Sequence, residues 1–317
     1  MVQKATSTLM DFWLQNFARN LPKILEGESI KKLNIFHNST NSLQGHTPKE
    51  SAIVIGGGPS VAEKNQLDML SESRYNETII CTDRMLIPVL KKRITPDRFS
   101  HFYVLTIDGD EEQERFYDDP IVKKYSKDID VVLASTCSPK VVKKCEENNL
   151  KMYWCHPLID DFRKNESISK IMNIMSKSNK NPKGLPGIQT GGNVGTSCWV
   201  FSWAIVGCSP TVLIGINFGF LENTPIENTL HYQELFEESN DNKDLVKKYY
   251  KILYNPDSNC KVMVDPIFDY YREGFCDLVL RTPKWVRTIN ATEGGSLFGE
   301  RIEAMKFSDF LNTSLQI

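Results

Sequence analysis

The stretch that most constrains the fold of this chain is SAIVIGGGPS, at residues 51–60. Its apolar residues, Ala52–Ile55, predict a short strand. Three consecutive glycines follow that strand directly: Gly56, Gly57 and Gly58. A helix-forming segment comes next, and Ser60 with Glu63 fits a capping box at the start of that helix.

A strand, a glycine turn and a helix N-terminus in this order favour an anion site. Glycine lets the backbone approach a ligand closely, and the helix presents free N–H groups. We therefore predict that Gly56 to Ser60, including Pro59, bind phosphate or a nucleotide. The alternative is a tight turn that binds nothing. The spacing is neither that of G-x-G-x-x-G nor that of a P-loop, because no Gly falls at the late position and no Gly-Lys-Ser/Thr follows.

Apolar, strand-like runs alternate with helical segments along most of the chain. After the first strand they lie at residues 77–81, 102–107, 131–134, 151–156, 211–216 and 285–290. Residues 234–253 look helical, and 261–264 and 278–281 are weaker strand candidates. This alternation predicts an α/β fold with a mostly parallel sheet, in which ligands bind beyond the carboxyl ends of the strands.

The two ends of the chain differ in character. Residues 1–30 carry apolar side chains at a three- to four-residue spacing, which predicts an N-terminal helix packed on the outside of the main domain. We expect a helical extension at 1–48 and one larger domain at 49–317. Within that domain, residues 160–185 are polar and lysine-rich, and they predict either an inserted helix or a mobile lid.

Composition narrows the class of protein. The 317 residues carry a net charge of −2, which gives no support to general nucleic-acid binding. The eight cysteines are scattered without a C-x-x-C pair, so we expect free thiols in a reducing cytoplasm. We expect no signal peptide, and no membrane span, because glycines and a proline divide the uncharged stretch 184–221. The sequence leaves a homodimer open.

Acidic side chains follow two of the predicted strands. Asp83 comes after the second strand, and Asp108 and Asp110 follow the third. Carboxylate oxygens beside a phosphate loop can hold Mg²⁺ against a nucleotide. The alternative is that these are acidic turns exposed to solvent.

A second glycine loop, Gly191-Gly192-Asn193, precedes an apolar helix at residues 194–206. Asn193 is a favourable N-cap, and the loop could contact a phosphate, a base or a sugar. The alternative is a capped helix that needs small residues for close packing. His231, beyond the strand at 211–216, is a candidate acid, base or phosphate contact, with a structural histidine as the alternative. No Ser-His-Asp or Cys-His arrangement indicates covalent catalysis.

Several of these motifs occur together, and in the same order, in a known family. The stretches are AIVIGGGPS (52–60), TDRMLIPVLKKRITPD (82–97), TIDGD (106–110), TGGNVGTS (190–197), LIGINFGF (213–220) and INATEGG (289–295). On these stretches the chain resembles the MptE-like family. That family includes archaeal 6-hydroxymethyl-7,8-dihydropterin diphosphokinases and the central domain of motility-associated factors, which are glycosyltransferases implicated in placing nonulosonic acids on flagellins.

The resemblance implies a Rossmann-like, mostly parallel sheet with helices on both faces, in addition to the N-terminal helix. It carries the family's motifs onto both glycine loops, onto Asp83 and Asp108, and onto His231. One position departs from the family, because Asn217 stands where an Asp is usual. Asparagine supplies neither an anionic metal ligand nor a base, so a catalytic role of that position would be altered here.

Three hypotheses follow from the motifs and the resemblance together. The leading one is a cytoplasmic, Mg²⁺-dependent diphosphokinase that transfers a pyrophosphoryl group from ATP to the hydroxymethyl group of a reduced pterin. In it, the first glycine loop holds phosphates, while Asp83, Asp108 and Asp110 hold Mg²⁺. The second is a glycosyltransferase that uses a CMP-activated nonulosonic acid, with His231 acting on the leaving phosphate. The third, motivated by Asn217, is a nucleotide- or glycan-binding module without activity.

Overall fold

The computed structural model describes residues 2–36 and 45–313, and it confirms the α/β fold with helices on both faces of a parallel sheet. Part of the predicted extension at 1–48, namely residue 1 and residues 37–44, lies outside the described residues. In chain order the strands are β1 (Glu28–Ser29), β2 (Ala52–Ile55), β3 (Thr78–Thr82), β4 (His101–Thr106), β5 (Asp130–Ala134), β6 (Lys151–Pro157), β7 (Gly187–Ile188), β8 (Thr211–Ile214), β9 (Phe220–Leu221), β10 (Lys251–Asn255), β11 (Cys260–Val264), β12 (Thr288–Asn290) and β13 (Ile302–Ala304).

The helices connect and cover these strands. In chain order they are α1 (Val2–Glu26), α2 (Ser60–Glu63), α3 (Gln66–Glu72), α4 (Asp83–Lys91), α5 (Pro120–Lys124), α6 (Pro139–Glu147), α7 (Ile168–Met175), α8 (Val194–Ala204), α9 (Tyr232–Glu238), α10 (Lys243–Lys247), α11 (Pro266–Leu280) and α12 (Phe307–Thr313). None of the helices in the described ranges is long and apolar enough to cross a membrane.

The strand order defines a point where the chain changes direction across the sheet. The ten-stranded sheet runs β1-β6-β5-β4-β3-β2-β8-β12-β13, with β7 attached to β6. From β2 the chain moves to one side through β3 and β4, and it later returns to place β8 on the other side of β2. The carboxyl ends of β2 and β8 therefore form a topological switch point, which is the usual ligand crevice of such sheets.

The sheet is buried on both faces, as its apolar strands predicted. In β2, Ile53 and Ile55 face a core that also contains side chains of α3, α4 and α6. Ala52 and Val54 face the opposite core, beneath α8 and α11. Successive side chains of a strand point to opposite faces, so a fully apolar strand needs a helix layer on each side.

The N-terminal segment is built into this domain. Phe17 and Ile24 of α1 are buried in the core, and β1 adds a parallel edge strand beside β6. The side-chain amides of Asn16 and Asn20 donate to main-chain carbonyls in the loops that follow β4 and β5. Helix α1 therefore lies against the carboxyl ends of two central strands.

The lysine-rich segment 160–185 lies at the other side of the sheet from β8. Its helix, α7, packs beside β6, and β7 then pairs with the end of β6. Four strand spacings separate β6 from β2, which is about 19 Å. This position favours the inserted helix over a lid on the switch point.

The C-terminal third differs most from the sequence prediction. The helix expected at 234–253 is replaced by α9, α10 and β10, and β10 pairs with β11 in a separate three-stranded antiparallel sheet that also contains β9. The strand expected at 278–281 was wrong, because residues up to Leu280 continue α11. Phe275 and Val279 are buried on one face of this helix. The apolar run at 278–280 is too short for its periodicity to distinguish a strand from the end of a helix.

We expect Asn20→Ala to destabilise the protein by about 1–3 kcal/mol, because it leaves buried carbonyls without a donor. Asn20 Nδ2 donates to Cys137 O at 2.8 Å and to Ser135 O at 3.3 Å. The measurement is the free energy of unfolding in urea. Arg19→Ala, at an exposed neighbour on α1, is the control and should change that free energy by less than about 0.5 kcal/mol. Equal effects of the two substitutions would argue against this docking of α1.

Candidate active site at the switch point

The first glycine loop is locked to the segment that follows β8. Gly58 N–H donates to Gly215 O at 2.9 Å. A Cβ atom at Gly58 would lie 2.1 Å from Asn217 Oδ1, and one at Gly56 would lie 2.4 Å from the side chain of Ile216. Close packing of the two strand ends therefore explains two of the three glycines without any ligand.

Gly57 is the glycine of this loop that faces outward. It is exposed, and its N–H has no hydrogen-bond acceptor among the residues that the structure describes. The stem of Arg84 lies beside it, 3.0 Å from where a Cβ atom would be. Arg84 is exposed, and its guanidinium lies 5.9 Å from the ring centroid of Phe116. No carboxylate in the described ranges lies within ion-pair distance of Arg84. A free N–H beside an unpaired cation suits an anionic group.

The capping box predicted for Ser60 and Glu63 is wrong. The N-cap of α2 is Pro59, and the Ser60 hydroxyl instead donates to Asn217 Oδ1 at 2.9 Å. Helix α2 ends after one turn, and Asn65 adopts a φ of 51° before α3 begins. The loop therefore has no long helix behind it, and the helix dipole adds little to anion binding here.

Asn217 joins three loops at the carboxyl edge of the sheet. Its side chain accepts the Ser60 hydroxyl, and its main-chain oxygen accepts the N–H of Ser296, after β12, at 2.8 Å. An aspartate oxygen could accept the same hydrogen bond from Ser60. Asparagine thus keeps the link between the loops and removes the negative charge.

The second glycine loop meets the first one. Gly192 has a φ of 86°, and Asn193 caps α8 by accepting the N–H of Thr196 at 2.8 Å, as predicted. A Cβ atom at Gly195 would lie 2.7 Å from Ile216 Cδ1, the same atom that crowds Gly56. The Ile216 side chain therefore lies between the two loops, and α8 points its N-terminus at the switch point.

Asp83 is a buried carboxyl group at the end of β3. Only 4% of the residue is exposed, and Oδ1 accepts the N–H of Arg84 at 2.8 Å. Oδ2 is buried without a hydrogen-bond partner among the described residues. Burial, with a smaller contribution from the negative charge of Asp108, raises the pKa of Asp83 to about 6, although interactions with the Arg84 N–H and the Thr106 hydroxyl act to lower it. A cation or a hydrogen-bond donor from a ligand would satisfy this oxygen.

Asp108 and Asp110 shape the loop after β4. Asp108 is exposed and accepts the N–H of Asp110 at 3.1 Å, while Asp110 accepts the N–H of Glu112 at 2.9 Å. Within residues 2–36 and 45–313, no group of three or more His, Cys, Asp or Glu side chains is arranged to hold a metal ion. Mg²⁺ needs only one or two carboxylates when phosphate oxygens complete its shell, so Asp83 and Asp108 fit such a site. Asp110 as a third ligand stays a prediction.

His231 forms a buried pair with a residue that the sequence did not single out. His231 Nδ1 lies 2.7 Å from Asp265 Oδ2, and the other oxygen of Asp265 accepts the N–H groups of Ile267 and Phe268 at the start of α11. The carboxylate thus fixes the imidazole orientation, which leaves Nε2 to act on a ligand. A cavity of about 430 Å³ lies beside Asp265, lined also by Lys248, Lys251 and Tyr270.

Helix α11 connects this pair to the second glycine loop. The rings of His231 and Phe268 meet edge to face at 4.8 Å, and one turn later Tyr271 reaches Gly192, where a Cβ atom would lie 2.5 Å from its ring. Burial, together with the negative charges of Glu234, Asp108 and Asp265, raises the pKa of Tyr271 to about 12. Tyr271 is therefore influenced electrostatically by carboxylates from both halves of the site.

The sequence analysis missed three residues of this site: Arg84, Asp265 and Tyr271. A signal existed for Asp265, because an Asp-Pro pair after the apolar run 262–264 is typical of a helix N-cap followed by proline at the first helical position. Arg84 directly follows Asp83 at a strand end. Tyr271 has no local signal, since only the fold brings it to Gly192.

Comparisons with known proteins agree with this architecture. A family model described as 6-hydroxymethylpterin diphosphokinase MptE-like matches residues 15–223, which is more than half of the chain. The match contains both glycine loops, Asp83, Asp108 and Asn217, and it ends before His231. No curated protein matches the chain.

Among solved structures, the chain is similar to that of the MAf glycosyltransferase from Magnetospirillum magneticum AMB-1. The TM-score is 0.54 at 13% sequence identity, and the similarity covers 86% of this chain. The chain spans 37% of that protein's length. At this identity the likeness concerns the fold.

We expect the raised pKa of Asp83 to appear as a pH-dependent stability difference between the wild type and Asp83→Asn. Between the ordinary carboxyl pKa of 3.8 and about 6, the folded state holds the proton more tightly than the unfolded state, so wild-type stability falls as pH rises. The variant lacks this penalty. The free energy of unfolding of Asp83→Asn, relative to that of the wild type, should therefore increase by up to about 3 kcal/mol between pH 3.8 and about 6. Above this range the difference should stay constant.

Urea titrations at several pH values measure this difference. Asp97→Asn, at an exposed residue of a turn, is the matched control for removing one charge. A difference between Asp83→Asn and wild type that stays constant with pH would contradict the raised pKa.

Proposed function

The chain belongs to the MptE-like family, and on that premise we propose that it is a transferase whose anionic, nucleotide-containing donor binds at the switch point of the sheet. The proposal rests on Asp83, at a strand end beside the first glycine loop, whose buried Oδ2 has no hydrogen-bond partner in the described part of the chain. A buried polar atom without a partner is rare in folded proteins, and a ligand is one reason for it. The Gly57 N–H and the Arg84 guanidinium, which have no acceptor and no carboxylate partner among the described residues, add the hydrogen-bond donors and the positive charge that phosphates need.

The first candidate reaction is pyrophosphoryl transfer from ATP to the hydroxymethyl group of a reduced pterin. The hydroxyl oxygen forms a bond to the β-phosphorus, the bond from that phosphorus to the α–β bridging oxygen breaks, and AMP leaves. The hydroxyl proton passes to a base, for which His231 Nε2 is our candidate. The family description supports this reaction.

Asp83 and Asp108 are the residues that would hold Mg²⁺ in this reaction. When bound, the ion neutralises phosphate charge and polarises the phosphorus under attack. The chain itself supplies alignment: Gly57 N–H and the Arg84 guanidinium orient the phosphates, and the second glycine loop with Tyr271 borders the space above them. Such positioning and charge neutralisation need no covalent intermediate.

The second candidate is transfer of a nonulosonic acid from its CMP-activated form to a hydroxyl acceptor. The His231–Asp265 pair and the likeness to a glycosyltransferase fold favour it. Here the acceptor oxygen bonds to the anomeric carbon, the bond from that carbon to the phosphate oxygen breaks, and CMP leaves. A protonated His231 gives its proton to the departing phosphate, and the acceptor hydroxyl loses one to solvent. A binding module without activity, suggested by Asn217, is the third alternative.

Two further assignments belong to this proposal. The eight cysteines are free thiols, six of them buried, which fits a reducing compartment, and we place the protein in the cytoplasm on that ground. A homodimer stays a prediction.

Ligand-induced stabilisation separates these candidates. A ligand that binds only the folded state raises the melting temperature, so we would compare ATP, AMP, CMP and a CMP-activated nonulosonic acid, each with and without Mg²⁺. For the diphosphokinase we expect a shift with ATP that requires Mg²⁺, and AMP release when a reduced pterin is added. A rise in melting temperature with CMP that is the same with and without Mg²⁺ favours the glycosyltransferase. Binding without turnover of either donor indicates the silent module, and no shift with any nucleotide contradicts the proposed donor site.

Substitutions assign the roles of the two halves of the site. Asp83→Asn and Asp108→Ala should each lower kcat at least about 100-fold in the diphosphokinase, because the charge of the transferred group would no longer be neutralised. Asp97→Asn is the matched control and should leave the rate unchanged. Steady-state kinetics with far-ultraviolet circular dichroism separates lost chemistry from lost folding. Full activity of folded Asp83→Asn and Asp108→Ala would refute this site.

A further inference from the structure

Helix α7 presents its apolar face to solvent. Ile171, Ile174 and Met175 are 51%, 54% and 49% exposed, and their i, i+3, i+4 spacing places them on one face. The opposite face buries two residues of this helix, Ser169 and Met172. Most surface helices bury their apolar residues, but α7 buries only Met172 and part of Ile168 against the core and leaves its other three apolar side chains in solvent.

Hydrogen bonds fix α7 in this orientation. Ser169 Oγ accepts the N–H of Ile159 at 3.2 Å, and Asn173 Nδ2 donates to Leu185 O at 2.8 Å. Just past the helix, Ser176 Oγ accepts the N–H of Leu185 at 3.1 Å. Turning the helix to bury its isoleucines would break all three contacts. The exposed apolar face is therefore a stable feature of the fold.

Three lysines lie close to this face in the sequence. Lys170 lies on α7 and Lys177 lies two residues beyond its end, while Lys183 precedes Gly184, which packs against Asn173. None of these three lysines lies within ion-pair distance of a carboxylate in the described part of the chain, whereas Lys180 pairs with Glu28. Residues 160–185 hold six basic and three acidic side chains in a chain of net charge −2. The surface that covers α7 must therefore be both apolar and anionic.

The charge argues against two copies of this chain meeting through α7. In a two-fold symmetric dimer the same patch meets itself, so the lysines would face lysines. A protein partner would usually need about 800 Å² on each side, which is far more than three protruding side chains on a helix of two turns supply. A bilayer interface needs only apolar side chains that enter it and cations that remain at the headgroups.

We propose that α7 and its flanking lysines form a membrane-surface site that binds anionic lipid headgroups. The side chains of Ile171, Ile174 and Met175 enter the interfacial layer, and Lys170, Lys177 and Lys183 contact the headgroups. This contact lies at the β6 side of the sheet, away from the switch point. It is independent of the proposed reaction.

Vesicle co-sedimentation of the full chain tests the site. We expect binding to vesicles with about 30% phosphatidylserine in phosphatidylcholine, little binding to phosphatidylcholine alone, and release in about 0.5 M salt. A variant with Ile171→Ser, Ile174→Ser and Met175→Ser should lower the partition coefficient at least about tenfold. A variant with Lys170→Gln, Lys177→Gln and Lys183→Gln should do the same.

Matched controls come from elsewhere on the surface. Ile252→Ser with Tyr254→Ser removes apolar side chains that are 51% and 56% exposed on β10, and Lys64→Gln with Lys127→Gln removes exposed lysines. Both controls should change the partition coefficient less than about twofold, and circular dichroism checks that every variant is folded. Three results would each overturn the proposal: a wild type that does not bind anionic vesicles, binding that survives both α7 variants, or a dimer in light scattering that the serine variant abolishes.

Discussion

The close approach of two strand ends at the switch point determines most of what this structure can do. The main-chain bond from Gly58 to Gly215, and the side-chain bond from Ser60 to Asn217, hold the loops after β2 and β8 together. Any side chain at position 58 would displace Asn217. With these loops fixed, the crevice is bordered by Gly57 on one side and by the N-terminus of α8 on the other. The candidate ligand crevice is thus a consequence of how two parallel strands diverge from one another.

Two buried carboxylates in this site are used in opposite ways. Asp265 has partners on both oxygens, because it caps α11 with one and holds His231 with the other. Among the described residues Asp83 has a hydrogen-bond partner on Oδ1 but none on Oδ2, and burial raises its pKa to about 6. Asp265 positions the His231 ring, and both of its oxygens already accept hydrogen bonds within the fold. Asp83 leaves binding capacity unused, which a ligand can complete.

The sequence predicted the features that depend on residues adjacent in the chain. The glycine loop, Asp83 and Asp108 each follow an apolar run directly, so the strand pattern alone placed them at one edge of a sheet. The capping box failed because the Ser60 hydroxyl finds a partner 157 residues away, which outcompetes the local one. The partner of His231 lies 34 residues further on, across a separate antiparallel sheet that local periodicity did not reveal. Contacts of this kind depend on the tertiary fold, which no local pattern specifies.

The docking of α1 has a consequence for how the chain folds during synthesis. Asn16 and its carbonyl partners at Gly109 and Thr136 are separated by 93 and 120 residues. At usual elongation rates a ribosome needs roughly 5–25 s to make that length of chain. For that time Phe17 and Ile24 have no core to enter, although both are buried in the finished domain. During that time the apolar side chains of the nascent α1 stay exposed, so chaperones or other chains can bind them before α1 docks.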